Sequence, residues 1–205
     1  MAGEALGAHP TALARLLAAL LADELGRLRG RSLATAEPLG WTADTRLDEE
    51  GVGADSLARL RLAARVDEAF RLGDSGVEDY LLLEPRLGGW VDIVREGLRR
   101  GRGRLSFRSS GTTGEPKRID HRLVDLEAEC RGLADLLPPA RRVVTLAPPH
   151  HLYGFLFGVL GPCLEDLPVL DAIPAGPVAA LRRLAPGDRV VATPFLWSLG
   201  LDGEG

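Results

Sequence analysis

The chain of 205 residues has no asparagine, no glutamine and a single lysine, Lys117, against 24 arginines. A GC-rich coding bias explains the shortage of lysine but not the position of the one that survives. Two cysteines, Cys130 and Cys163, are too few for a disulfide framework. The longest apolar stretch, Leu16 to Ala22, is far shorter than the roughly 18 residues of a membrane helix. The first cation, Arg15, lies inside a periodic segment, so the start lacks the basic patch of a secretory signal. These absences predict a cytoplasmic protein with no membrane partner. A net charge of −4 lends nothing to nucleic-acid binding, which wants a basic surface. The acidic excess is local: residues 1–100 carry 13 arginines against 17 Asp and Glu, and the rest is balanced.

What is present falls into two halves. In the first, Leu13, Leu16, Leu17, Leu20, Leu21 and Leu25 recur at three- and four-residue steps, which predicts an amphipathic helix opened near His9-Pro10-Thr11 and ended by Gly26 and Gly30. After a long loop, a second helix is expected from Asp55-Ser56, with Leu57, Leu60, Ala64, Val66 and Phe70 facing inward. A short third covers Val77 to Leu83. Pro85 breaks the chain, and Leu87, Trp90, Val91, Val94 and Leu98 mark a fourth. Arg99-Arg100-Gly101-Arg102-Gly103-Arg104 has the glycine and like charge of a mobile linker. From Leu105 onward, strand-like segments at 105–107, 142–146, 168–170 and 189–193 alternate with helical ones at 123–137, 153–160 and 178–184, the pattern of a mostly parallel α/β sheet.

Two segments carry chemistry. Gly53-Ala54-Asp55-Ser56-Leu57 places Asp55 as a helix cap and Ser56 in the first turn, where the helix N-terminus favours an attached phosphodiester. Its helical setting resembles an acyl carrier or peptidyl carrier domain. The resemblance implies that Ser56 carries 4′-phosphopantetheine, added by a phosphopantetheinyl transferase. Arg59, Arg61 and Arg65 depart from the acidic docking helix usual in that family. The second segment is Arg108-Ser109-Ser110-Gly111-Thr112-Thr113-Gly114-Glu115-Pro116-Lys117. Its glycines can aim backbone N–H groups at an anion, its hydroxyls add donors, and Lys117 adds a point charge. Pro116 before Lys117 and Arg118 after it exclude a Walker loop.

That string closely resembles the phosphate-binding signature of the adenylate-forming superfamily of acyl-CoA synthetases and acyl-AMP ligases. The resemblance implies that Ser109, Ser110, Gly111, Thr112, Thr113, Gly114 and Lys117 hold the phosphates of ATP, supplied with Mg²⁺. Pro148-Pro149-His150-His151-Leu152-Tyr153-Gly154 matches a second family turn, in which His151 would stand beside the acyl group. No metal site is expected, since adjacent histidines diverge and no third ligand has metal-like spacing.

The expected fold is α+β. A four-helix carrier-like bundle over 1–98 and a linker over 99–104 precede a partial, mostly parallel α/β adenylation-type domain over 105–205. The expected function is a carrier–ligase fusion, the N-terminal part of an enzyme that activates an acyl or aryl carboxylic acid as its adenylate. The alternative is a carrier whose ligase half serves for docking or as one part of a split enzyme. The relatives' adenine-binding segment and second catalytic lysine have no counterpart, so a truncated chain that needs a missing C-terminal part is expected. The identity of the acid is not legible.

Overall fold

The computed structural model describes residues 4–30, 40–109 and 117–196. The chain divides into two compact units, Met1–Leu126 and Glu127–Gly205. It is α+β, with helices first and small sheets after.

In the first unit a short helix α1, Glu4–Ala8, precedes α2, Pro10–Leu28. Proline sits at the helix start, where a missing N–H costs nothing. Thr11 does not cap it: the cap position is His9, with no side-chain bond. All six leucines of the expected stripe are buried. Gly26 lies within the helix, and Gly30, at φ +63°, takes the left-handed turn after it. Helix α3, Ser56–Phe70, starts where Asp55 accepts a 2.8 Å bond from the Ala58 amide. Its buried face is Leu62, Ala63, Arg65, Val66, Ala69 and Phe70. Of the five residues expected inward only Val66 and Phe70 are buried, while Leu57 is 62% and Leu60 50% exposed and Ala64 also faces solvent.

The third helix is shorter than expected, α4 over Tyr80–Leu83, and α5 spans Leu87–Arg100. Its stripe of Leu87, Trp90, Val91, Val94 and Leu98 is buried as expected. Trp90 is fully enclosed, and its Nε1 donates to the Glu84 carbonyl at 2.8 Å, which meets the need of a buried indole for an acceptor. Helix α5 packs on α1, α2, α3 and α4. Gly97 lets α5 close on the turn Leu72–Asp74, since a Cβ there would lie 2.4 Å from a methyl of Leu72.

Half of the expected mobile linker, Arg99, Arg100 and Arg104, is regular structure. Helix α5 runs through Arg100, strand β1 covers Arg104–Ser109, and only three residues lie between. Gly103, buried and at φ +58°, accepts the Leu123 amide at 2.6 Å. Strand β1 pairs antiparallel with β2, Lys117–Arg122, a strand absent from the expected pattern. This hairpin belongs to the same compact unit as the helices.

Helix α6, Leu123–Ala134, leads into the second unit. Strand β3 (Arg142–Thr145) is followed by α7 (Leu152–Phe155), a π-helical turn over Leu156–Leu160 and α8 (Gly161–Glu165). Strand β4 (Val169–Asp171), α9 (Gly176–Leu181) and β5 (Asp188–Val191) complete it. The sheet order is β4-β3-β5, all parallel. Both faces of β3 are covered. Val144 and Leu146 pack with Ala172 and Ala180 on one side, and Val143 and Ala147 with Val191 and Phe157 on the other. That explains the continuous apolar run in this strand, where a half-exposed strand would alternate. Among the described residues, no helix is long and apolar enough to cross a membrane.

Candidate functional site

The Ser/Thr/Gly-rich string falls on the connection between β1 and β2. Register pairs Ser109 with Lys117, so the two residues that flank the segment are backbone neighbours across an antiparallel hairpin. Ser110, Gly111, Thr112, Thr113 and Gly114 lie outside the described residues. Lys117, at the start of β2, is exposed. The hairpin beneath it is braced on both faces. Ser106 donates to Asp120 at 2.6 Å, and the Phe107 and His121 rings meet edge to face at 5.9 Å. The bond from Ser106 is the main cause that keeps the Asp120 carboxyl below the usual carboxylate range.

Arg108, one residue before Ser109, is held from two helices. Its Nε and Nη2 donate to the two carboxylate oxygens of Glu68 in α3 at 2.8 and 2.5 Å, and its Nη1 to Glu24 in α2 at 3.2 Å. Arg65, 4% exposed, places its Nη1 3.6 Å from Glu68. The Arg108 bonds draw the Glu68 carboxyl down from its ordinary value. This four-residue network carried no motif in the sequence, because its members are up to 84 positions apart.

Ser56 is exposed at the first position of α3. The loop before it is pinned, with the Arg29 Nη2 donating to the carbonyls of Val52 and Gly53 at 2.6 and 2.9 Å. Gly53 takes φ +69° there. Asp48 accepts from the Gly51 amide and from Arg46, whose guanidinium holds the Asp48 carboxyl low. Between this loop and Ser56 lies an open cleft of about 260 Å³, lined by Arg46, Asp48, Glu49, Glu50, Ala54, Asp55, Ser56 and Arg59.

His151 occupies the cap position of α7, just beyond the carboxyl end of β3. It is exposed, and its ring lies 4.5 Å from that of His150. The turn is tight: the His151 amide reaches the Pro148 carbonyl at 3.2 Å, and a Cβ on Gly154 would fall 2.0 Å from that same oxygen. Only glycine fits. Tyr153 donates its hydroxyl to the Ala192 carbonyl at 3.2 Å, tying this turn to the chain leaving β5 at the same sheet edge. Ligands of open parallel sheets bind beyond the carboxyl ends of the strands, which is where His151 stands. His151 belongs to the second compact unit, Ser56 and Lys117 to the first. Among the described residues no group of three or more His, Cys, Asp or Glu side chains is placed to hold a metal ion.

No family model matches the chain, and no solved structure matches it. Three curated relatives do, and each bears the name 4-coumarate–CoA ligase. The protein from Rhodobacter capsulatus is 42% identical over 199 residues, covering 92% of this chain and 51% of the relative. That from Halorhodospira halophila is 38% identical over 198 residues, covering 97% and 50%. That from Cereibacter sphaeroides is 39% identical over 160 residues, covering 75% and 39%. The chain thus spans about half the length of the first two relatives and less of the third. A match over 97% of the chain necessarily takes in the helical half, so that half is shared with a relative named as a ligase. The relatives support a fragment of an adenylate-forming acid–CoA ligase and give no support to an acyl carrier domain.

Proposed function

We propose that this chain is the part of an acid–CoA ligase that holds the phosphates of ATP and borders the acyl group. The acid is an aryl carboxylate of the 4-coumarate type. In the overall reaction a carboxylate oxygen attacks the α-phosphorus of ATP, forming acyl-adenylate and releasing pyrophosphate. The thiol of CoA then attacks the acyl carbon and AMP leaves. The observation that carries this reading is the ligase-type string set across the end of an antiparallel hairpin, in a chain whose relatives bear a ligase name. Residues 109–114 would supply backbone and hydroxyl donors to the β- and γ-phosphates, and Lys117 a cation. Such fixed donors act by stabilising charge and aligning the α-phosphorus with its attacker. His151, at the carboxyl edge of the parallel sheet, would flank the acyl group. Magnesium would neutralise phosphate charge, riding on the phosphate oxygens as it commonly does. The described residues form no cluster to hold it.

The test is titration of the chain with MgATP by calorimetry. A charge-assisted contact is worth about 1.5–3 kcal/mol, so Lys117→Ala should weaken binding by about tenfold or more. Equal affinity in wild type and variant would remove Lys117 from the site.

A second reading rests on Ser56, exposed beside an open cleft at a capped helix start, with Leu57 and Leu60 bare next to it. It makes Ser56 a phosphopantetheine attachment site. Incubation with CoA and a broad-specificity phosphopantetheinyl transferase would then add one phosphopantetheine mass to wild type and none to Ser56→Ala. Unchanged mass in the wild type refutes it.

A further inference from the structure

The cation nearest the Ser/Thr/Gly-rich segment on its N-terminal side is Arg108, yet its charge is already spent. Glu68 takes it in a two-point grip and Glu24 adds a third bond. Two parallel N–H···O bonds fix the guanidinium plane as well as its distance. Glu24 is 13% and Glu68 23% exposed at the side chain, so solvent screens the network weakly. Arg65, 3% exposed at its side chain, approaches Glu68 from the same helix. Two carboxylates thus face two cations, with Asp23 and Arg118 acting on the same group from further off. What the network does is fix direction. It pins β1 one residue before Ser109 to two helices at once, while β1 is fixed laterally through the Ser106–Asp120 bond. A strand anchored at this point holds the backbones of Ser109 and Lys117, paired across β1 and β2, in a constant position. An unanchored one would lose the alignment on which phosphate binding depends.

We infer that Glu68, assisted by Glu24, is a positioning residue for the nucleotide phosphates: by gripping Arg108 it holds the strand that leads into residues 109–117. The inference rests on those residues binding phosphate, as proposed above. Released from Glu68, Arg108 would no longer fix the strand end, and Arg65 would lose its nearest carboxylate.

The probes are inorganic triphosphate with Mg²⁺ and MgATP, titrated calorimetrically into the whole chain, with thermal melts alongside. Glu68→Gln should weaken both by about tenfold while the melt still shows a cooperative fold. Glu68→Asp, which keeps a carboxylate, should stay within about threefold of wild type. A merely structural role would move melting temperature in both variants and leave affinity unchanged in whatever remains folded. Unchanged affinity in folded Glu68→Gln overturns the inference. Should that variant fail to fold, Glu24→Ala removes only the single 3.2 Å bond. A loss of about threefold there supports the inference, and wild-type affinity overturns it. Lys117→Ala separates the layers. If wild type binds no triphosphate, or Lys117→Ala binds it equally well, the phosphate-site reading fails and takes this inference with it. If Lys117→Ala loses binding while the Glu68 and Glu24 variants keep it, only the inference fails.

Discussion

Replacing two glycines of the second unit by alanine should change stability in opposite directions. Gly154 lies in α7, and a Cβ there would sit 2.0 Å from the Pro148 carbonyl oxygen, 2.7 Å from its carbon and 3.1 Å from the Ala147 oxygen. Ordinary contact begins at 3.4 Å, so the turn would have to open by more than an ångström. The atoms in the way are backbone and cannot swing aside as a flexible side chain would. Overpacking typically costs about 1–3 kcal/mol, and a backbone obstacle belongs at the upper end. Alanine recovers about 1 kcal/mol of helix propensity, leaving a net loss of about 2 kcal/mol. Gly132, in α6, has nothing within 4 Å of the same added atom. There only the gain remains, about 0.4–1 kcal/mol.

The two variants should therefore differ by about 3 kcal/mol in the same unit, read by urea unfolding followed through circular dichroism. In a unit of this size 1 kcal/mol moves the melting temperature by about 4–8 °C, so thermal scans resolve the sign independently. If Gly154→Ala were as stable as wild type, Pro148 would not close over the start of α7. The placement of His151 at that sheet edge would then lose its basis.

Removing the α3 cap with Asp55→Ala should cost about 1 kcal/mol, seen as a lower urea midpoint of the first unit. Leu62→Ala, at a fully buried position, should cost about 2–5 kcal/mol, whereas Leu57→Ser, at a largely exposed one, should stay within about 0.5 kcal/mol. Burial pushes the Cys130 thiol up to about 12, so iodoacetamide at pH 8 should leave it unmodified until urea is added; rapid native labelling would contradict its burial. Hydrogen bonds from Arg99 bring Glu96 down to about 2, with Arg100 assisting. Its folded value lies below its unfolded one, so its contribution is complete above about pH 4.5 and fades as pH falls toward 2. NMR titration of the Glu96 carboxyl should find it ionised at pH 3.5.

Where periodicity was long and one-sided, the sequence was legible. The leucines of α2 and the Trp90 stripe of α5 are buried as their spacing demanded, and the run Arg142–Thr145 is a strand covered on both faces. The first turns of α3 misled for a physical reason. Among the described residues no element buries Leu57 or Leu60, so their leucine spacing marks an exposed face. Strand β2, Lys117–Arg122, was illegible because it is almost wholly exposed and charged, and an edge strand of that composition has no apolar alternation to read. The Arg99–Arg104 run suggests a joint because glycine and like charges usually mark an exposed, mobile segment. Here Gly103 is fixed by a hydrogen bond and Arg104 already belongs to β1. The Ser/Thr/Gly-rich string, proposed to bind phosphate, stands out by local composition alone. Its Glu24–Arg65–Glu68–Arg108 support depends on tertiary packing and left no local trace.

The same support bears on what the helical half is for. A carrier module works by moving, so it should join its neighbour through few contacts and a loose linker. Here α3 bears Ser56 at one end and, twelve residues on, Glu68, which grips the strand leading to residues 109–117. At 1.5 Å per residue those two points lie about 18 Å apart along one rigid rod. The strand and the helix also pack directly, and only three residues separate α5 from β1. Swinging the helices free would break the two-point Arg108–Glu68 pair and part α3 from β1. The packing therefore favours helices that work as a fixed wall behind the hairpin over helices that travel, which agrees with a relative named as a ligase matching 97% of the chain.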